Sequence, residues 1–158
     1  MPTTPLCERL AHALLARGWM MATAESCTGG MIAARCTDLS GSSNWFERGF
    51  VTYSNAAKCD LLGVPAALIE QHGAVSEPVA LAMARGARVH SQAQVSVAVT
   101  GVAGPTGGSP DKPVGTVWFA WCVGEEVSSE LQVFEGDRQA VREATVQHAL
   151  AGLLQRVT

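Results

Sequence analysis

Along residues 5–17, Leu6, Leu10, Ala13 and Leu14 recur on one face and Gly18 follows as a stop, so the spacing predicts a helix. A short strand over Trp19–Thr23 comes next, then a small-residue helix over 29–37. Phe46–Tyr53 reads as a strand ending at Ser54-Asn55, where a helix over Ala56–Leu62 is capped and closed by Gly63. Pro65 opens a short helix to about Gln71, and Ser76-Glu77-Pro78 a longer one to about His90, with Val79, Met83 and Ala87 on one stripe. Val95–Thr100 is apolar with too little alternation for a half-exposed strand, which predicts a buried, parallel one. After a Gly/Pro-rich loop over 101–113, strands at 115–123 and 127–135 form a hairpin across Gly124-Glu125-Glu126, and Asp137 caps a last helix to about Gln155.

Helices and strands alternate through the first two-thirds, and a hairpin plus helix finishes. That order predicts a single-domain layered α/β/α fold with a mixed β-sheet over residues 1–158, with no internal repeat or dividing linker. A hydrophobic fraction of 47% with 16% charged residues suits one ordinary core. Net charge of −3 without a basic run gives no case for nucleic acid. No apolar stretch nears the ~20 residues of a membrane span, and Met1-Pro2-Thr3-Thr4-Pro5 does not read as a leader. Cys7, Cys27, Cys36, Cys59 and Cys122 are odd in number and never spaced C-x-x-C, which points to free thiols in a reducing cytoplasm. The four histidines show no metal-ligand spacing, so no metal is expected.

Candidate chemistry concentrates in Met21-Ala22-Thr23-Ala24-Glu25-Ser26-Cys27-Thr28-Gly29-Gly30. A strand, a tight turn and a helix in that order set Ser26 at a helix N-terminus, where free N–H groups favour negative charge. Ser26 is a candidate nucleophile, and the backbone of Cys27, Thr28, Gly29 and Gly30 a candidate oxyanion site. Two other readings stay open: Ser26 as an N-cap, and Cys27 as the nucleophile, since a thiol at a helix N-terminus has a lowered pKa. Lys58, one of only two lysines, sits on the first turns of a helix amid Ala56, Ala57, Cys59, Leu61 and Leu62. Lysine ordinarily titrates near 10.4 and serves as a base only when desolvation brings it to roughly 7–8. The alternative is a surface lysine with its stem along the helix. Tyr53 or Thr100 could hold the base or nucleophile in register.

The loop Thr100-Gly101-Val102-Ala103-Gly104-Pro105-Thr106-Gly107-Gly108-Ser109 follows a buried strand, where α/β folds bind ligands. Thr100, Gly101, Gly104, Gly107 and Gly108 are candidates for a phosphate or ribose site, against a plain surface connection. Arg138 and Arg142, on adjoining turns, could clamp a phosphate or pair with Asp137 and Glu135. Ser109-Pro110-Asp111-Lys112 matches S-x-x-K only formally, because prolines interrupt it, and no G-x-S-x-G is present.

Taken together, Ala24–Gly30, Tyr53-Ser54-Asn55 with Lys58 and Leu61–Val64, Gly73–Ser76, Thr100–Pro105 with Gly107-Gly108, Lys112–Val117, and Gly136-Asp137-Arg138 with Val141-Arg142 resemble the CinA C-terminal domain family. The resemblance runs through nearly the whole chain and takes the stand-alone form. It implies hydrolysis of the carboxamide of nicotinamide mononucleotide to nicotinate mononucleotide and ammonia, in pyridine-nucleotide salvage. It also implies a serine nucleophile and a lysine base at Ser26 and Lys58, a small-molecule nucleotide substrate, no cofactor, and self-association into a homo-oligomer. A non-catalytic nucleotide-binding member of the same family is the alternative.

Overall fold

The computed structural model describes residues 3–158; Met1 and Pro2 of the N-terminal stretch lie outside them. In chain order these residues form α1 (Thr3–Arg17), β1 (Met21–Glu25), α2 (Met31–Thr37), β2 (Phe46–Val51), α3 (Asn55–Leu62), α4 (Ala66–His72), α5 (Glu77–Val89), β3 (Val95–Gly101), β4 (Thr116–Val123), β5 (Glu126–Val133) and α6 (Arg138–Val157). One 3-10 turn at Ser42–Asn44, which the pattern does not signal, precedes β2.

The strands lie in the order β2-β1-β3-β4-β5. β1 runs parallel to both β2 and β3, while β4 and β5 are antiparallel additions, so the sheet is mixed as expected. β1 starts two residues later than the pattern suggests. The reason is that Gly18 and Trp19 donate back to Leu15 and Leu14, at 3.1 and 3.0 Å, to close α1. Likewise α2 starts at Met31 because Gly29 and Gly30 hold φ of 58° and 108°, outside helical space.

The two faces of the sheet differ in side-chain size, and that difference sets the layers. Toward α1, α2 and α6 point Val95, Val97, Val99, Val117, Phe119 and Trp121. Toward α3, α4 and α5 point Ala22, Ala24, Ala98, Ala120 and Cys122. A face of small residues lets α5 approach closely with its own Ala80, Ala84 and Ala87. Gly86 extends this on the outer side of α5: a Cβ there would lie 2.1 Å from the Leu62 carbonyl oxygen at the end of α3. Gly86→Ala is therefore expected to cost about 1–3 kcal/mol, seen as a lower urea midpoint at unchanged m-value. A midpoint equal to wild type would show that α3 has room to move.

The connection after β1 passes over one face through α2. The connection after β2 passes over the other through α3, α4 and α5. The crevice beyond the carboxyl ends of β1 and β3 is thus the switch point where open α/β sheets bind ligands.

Candidate active site

At that crevice the chain leaves β1 through Ser26 and β3 through Thr100 and Gly101. β1 and β2 pair with Glu25 opposite Val51, and the Thr52 N–H donates to the Glu25 carbonyl at 2.8 Å. The following backbone then bends, and Ser54 caps α3 by accepting from the Ala57 N–H at 3.0 Å. One turn into α3, Lys58 projects back under this bend. Its Nζ donates to the carbonyls of Thr52 and Tyr53 at 2.9 and 3.3 Å and to Ser26 Oγ at 3.0 Å.

Lys58 is 1% exposed, and no acidic side chain pairs with it among the described residues. Burial holds its pKa below the usual lysine value of 10.5, because desolvation penalises the charged form. Of the two readings left open, the surface lysine is therefore overturned. An amine without a carboxylate partner, touching one hydroxyl and two carbonyls, is equipped to exchange a proton with that hydroxyl.

Cys27, the rival to Ser26, is 5% exposed. Its thiol is pushed up to about 11, first by burial and further by the Glu25 carboxylate. The expectation of a lowered thiol pKa fails because this residue precedes α2 by four positions and is buried instead of resting on the helix end.

Nor does Ser26 cap α2. The helix begins after Gly30 with no side-chain cap. Glu25, fully buried, reaches from β1 to take that part: its carboxylate accepts from the Ile32 and Ala33 N–H groups at 2.9 and 3.0 Å and from the Thr28 hydroxyl at 2.5 Å. An anion at a helix N-terminus is favoured by the dipole, and here it leaves Ser26 Oγ free for Lys58. Sequence reasoning named Glu25 within the cluster but gave it no role. Its place on the Met21 and Thr23 face of β1 was the available signal.

The remaining candidates divide. The Gly29 N–H is already committed to the Ser26 carbonyl at 3.1 Å, whereas the N–H groups of Cys27 and Thr28 donate to no oxygen among the described residues. Thr100 lines the crevice, but its hydroxyl donates to the Ala74 carbonyl at 3.0 Å and makes no hydrogen bond to Ser26 or Lys58. Tyr53 reaches Lys58 through its main-chain carbonyl. The residue is 61% exposed, with the phenol oxygen accepting from Arg138 at 3.1 Å.

Arg138 lines the crevice and also donates to the Gly104 carbonyl at 2.8 Å. Arg142 does not line it. Its Nε and Nη2 donate to the carbonyls of Cys27 and Thr28, both at 3.1 Å. Neither arginine pairs with Asp137 or Glu135.

Gly101 lines the crevice, but Gly107 and Gly108 do not. A Cβ at Gly108 would lie 2.8 Å from the Val114 nitrogen, so the loop's own packing accounts for this glycine. Lys112 sends Nζ to the His72 carbonyl at 2.8 Å, far in function from any S-x-x-K pair. Asn55, three residues before Lys58 and exposed in the crevice, was missed; its spacing on the same helix face was the signal.

A family model described as the CinA C-terminal domain matches residues 3–157. The chain belongs to this family. Within it, the chain is 58% identical to a nicotinamide-nucleotide amidohydrolase PncC from Pseudomonas putida, over 98% of this chain and 96% of that protein. It is 52% identical to a protein of the same name from Escherichia coli K12, over 96% and 92%. A crystal structure of a CinA superfamily protein from Klebsiella pneumoniae superposes with a TM-score of 0.96 at 39% identity, covering 99% of this chain and 98% of that one. In a CinA-like protein from Akkermansia muciniphila, 56% identical, the match covers 84% of this chain but 32% of that protein, so the CinA domain also occurs within longer chains. No helix among the described residues is long and apolar enough to cross a membrane. Nor could any group of three or more His, Cys, Asp or Glu among them hold a metal ion.

Proposed function

We propose that this chain hydrolyses the carboxamide of nicotinamide mononucleotide to nicotinate mononucleotide and ammonia, with Ser26 as nucleophile and Lys58 as base. The observation that carries this reading is the 3.0 Å contact between the buried Lys58 Nζ and Ser26 Oγ. The names of the Pseudomonas putida and Escherichia coli relatives support the substrate class.

Neutral Lys58 takes the Ser26 hydroxyl proton as Oγ bonds to the carboxamide carbon, whose oxygen becomes an oxyanion facing the free N–H groups of the turn. Collapse breaks the C–N bond, and the proton on Lys58 leaves with the nitrogen as ammonia. Lys58 then deprotonates a water that attacks the acyl carbon, and Ser26 recovers its proton. The ring's pyridinium charge makes the carbon more electrophilic and favours an uncharged lysine beside it. Arg138 on the crevice wall supplies a cation for the 5′-phosphate. No step calls on a metal or organic cofactor. The five free cysteines suit a reducing cytoplasm, where pyridine-nucleotide salvage would use the product.

Incubating purified protein with the nucleotide is expected to release one ammonia for each nicotinate nucleotide formed. No ammonia, together with a raised melting temperature on adding nucleotide, would instead favour a binding protein without turnover.

A further inference from the structure

We propose that the ring of Tyr53 is a specificity-determining contact, stacking on the charged pyridinium ring of the nucleotide between its carboxamide and its phosphate; this rests on the amidase reading above. Both ends of the residue are held at the crevice. At the main-chain end, the Tyr53 carbonyl accepts from Lys58 Nζ at 3.3 Å, and the same Nζ lies 3.0 Å from Ser26 Oγ. At the phenol end, the oxygen accepts from Arg138 Nη2 at 3.1 Å, and Arg138 is the cation on the crevice wall. The ring therefore spans from the base beside the nucleophile to the guanidinium, along the crevice that Tyr53 lines.

A nicotinamide nucleotide carries its groups in the same order: carboxamide, cationic ring, then ribose and phosphate. With its carboxamide carbon against Ser26 Oγ and its phosphate at Arg138, its ring passes alongside the Tyr53 ring. Tyr53 is largely exposed, and among the described residues no other aromatic ring or stacked cation covers it. Its face is open to a ligand.

Charge leaves few other partners for that ring. Among the described residues lining the crevice none is a carboxylate, Tyr53 is the one aromatic, and Arg138 is a fixed cation. Nearby carbonyls each already take a donor: those of Thr52 and Tyr53 from Lys58, that of Ala74 from Thr100, and that of Gly104 from Arg138. Glu25, next to Ser26 in the chain, is engaged by Thr28, Ile32 and Ala33. A permanently charged ring nitrogen in such a setting gains most from the electron-rich face of an aromatic side chain. The phenol hydroxyl has a separate part, bracing the ring's edge against Arg138, so removing the hydroxyl and removing the ring have different consequences.

Calorimetry on Ser26→Ala protein compares two ligands: nicotinamide mononucleotide, and the 5′-phosphate of carbon-linked benzamide riboside, whose ring and carboxamide have the same shape without the charge. Protein with Tyr53 intact is expected to bind the pyridinium nucleotide about 3- to 30-fold more tightly than the uncharged one. Tyr53→Leu should bring that ratio close to one, and Tyr53→Phe, which keeps the aromatic face, should retain most of it. With Ser26 restored, Tyr53→Leu should raise KM for the mononucleotide by a similar factor and leave kcat nearly unchanged, the mark of a contact made equally in the bound and transition states. Should Tyr53→Leu not fold, Tyr53→Met, which also lacks an aromatic face, takes its place. A ratio that survives Tyr53→Leu overturns the proposal. So does a Tyr53→Phe variant that loses the ratio, because the hydroxyl and not the ring would then do the recognising, and so does a lowered kcat at unchanged KM. An active wild type whose ratio persists in Tyr53→Leu refutes this inference alone. A wild type that releases no ammonia removes the amidase reading, and the affinity ratio still decides whether Tyr53 reads the charged ring.

Discussion

Replacing Ser26 by alanine is expected to lower kcat/KM for ammonia release by about 10⁴–10⁶-fold, the scale seen when a covalent nucleophile is deleted. Cys27→Ala is expected to stay near wild type. Both side chains border the crevice, so position alone does not separate them. Protonation and partnership do. With its thiol at about 11, Cys27 is ionised in only about one molecule in a thousand at pH 8. Ser26 needs no prior ionisation, because Lys58 stands 3.0 Å away and removes its proton during attack. Measuring ammonia release and melting temperature side by side for the two variants distinguishes lost chemistry from lost folding. An active Ser26→Ala beside a dead Cys27→Ala would transfer the nucleophile to the thiol.

What could be read before the fold was known followed from which signals are local. The caps at Ser54 and Asp137, the glycine stops after α1 and α3, and the hairpin are written in adjacent residues, and the elements lie close to where those residues put them, except that Glu126, read as part of the turn, already pairs with Val123 in β5. The Ser26 turn and Lys58 were each visible as unusual local settings. Their contact was not, because it joins residues 32 apart through the register of β1 against β2, which no periodicity encodes. The family resemblance supplied that pairing.

Arg142 shows the limit most clearly. Its contacts with Cys27 and Thr28 depend on how α6 packs against α2 across more than a hundred residues, and an arginine near a helix start looks the same whether it meets a phosphate or a carbonyl. Gly108 misled for a related reason: close approach to Val114 and close approach to a ligand both demand a missing side chain.

Lys58 carries the second large effect. Lys58→Ala is expected to cost about 10²–10⁴ in kcat, with partial rescue by small primary amines, since it removes the group that moves the proton while leaving Ser26 in place. The pH profile follows from the direction of its shift. Burial lowers the pKa below 10.5, so the neutral, competent amine gains as pH rises, and kcat/KM should climb about tenfold per pH unit until it levels off at that lowered value. Stability carries the same signature. Between the lowered value and 10.5 the unfolded chain binds the extra proton, so unfolding free energy rises with pH in that window; below it the dependence vanishes. Lys58→Met lacks the group and should lose both slopes, in ammonia release and in urea midpoints. A wild-type rate that shows no rise with pH on the acid side of that plateau, or a Lys58→Ala variant that keeps the wild-type rise, would show that another group takes the proton from Ser26.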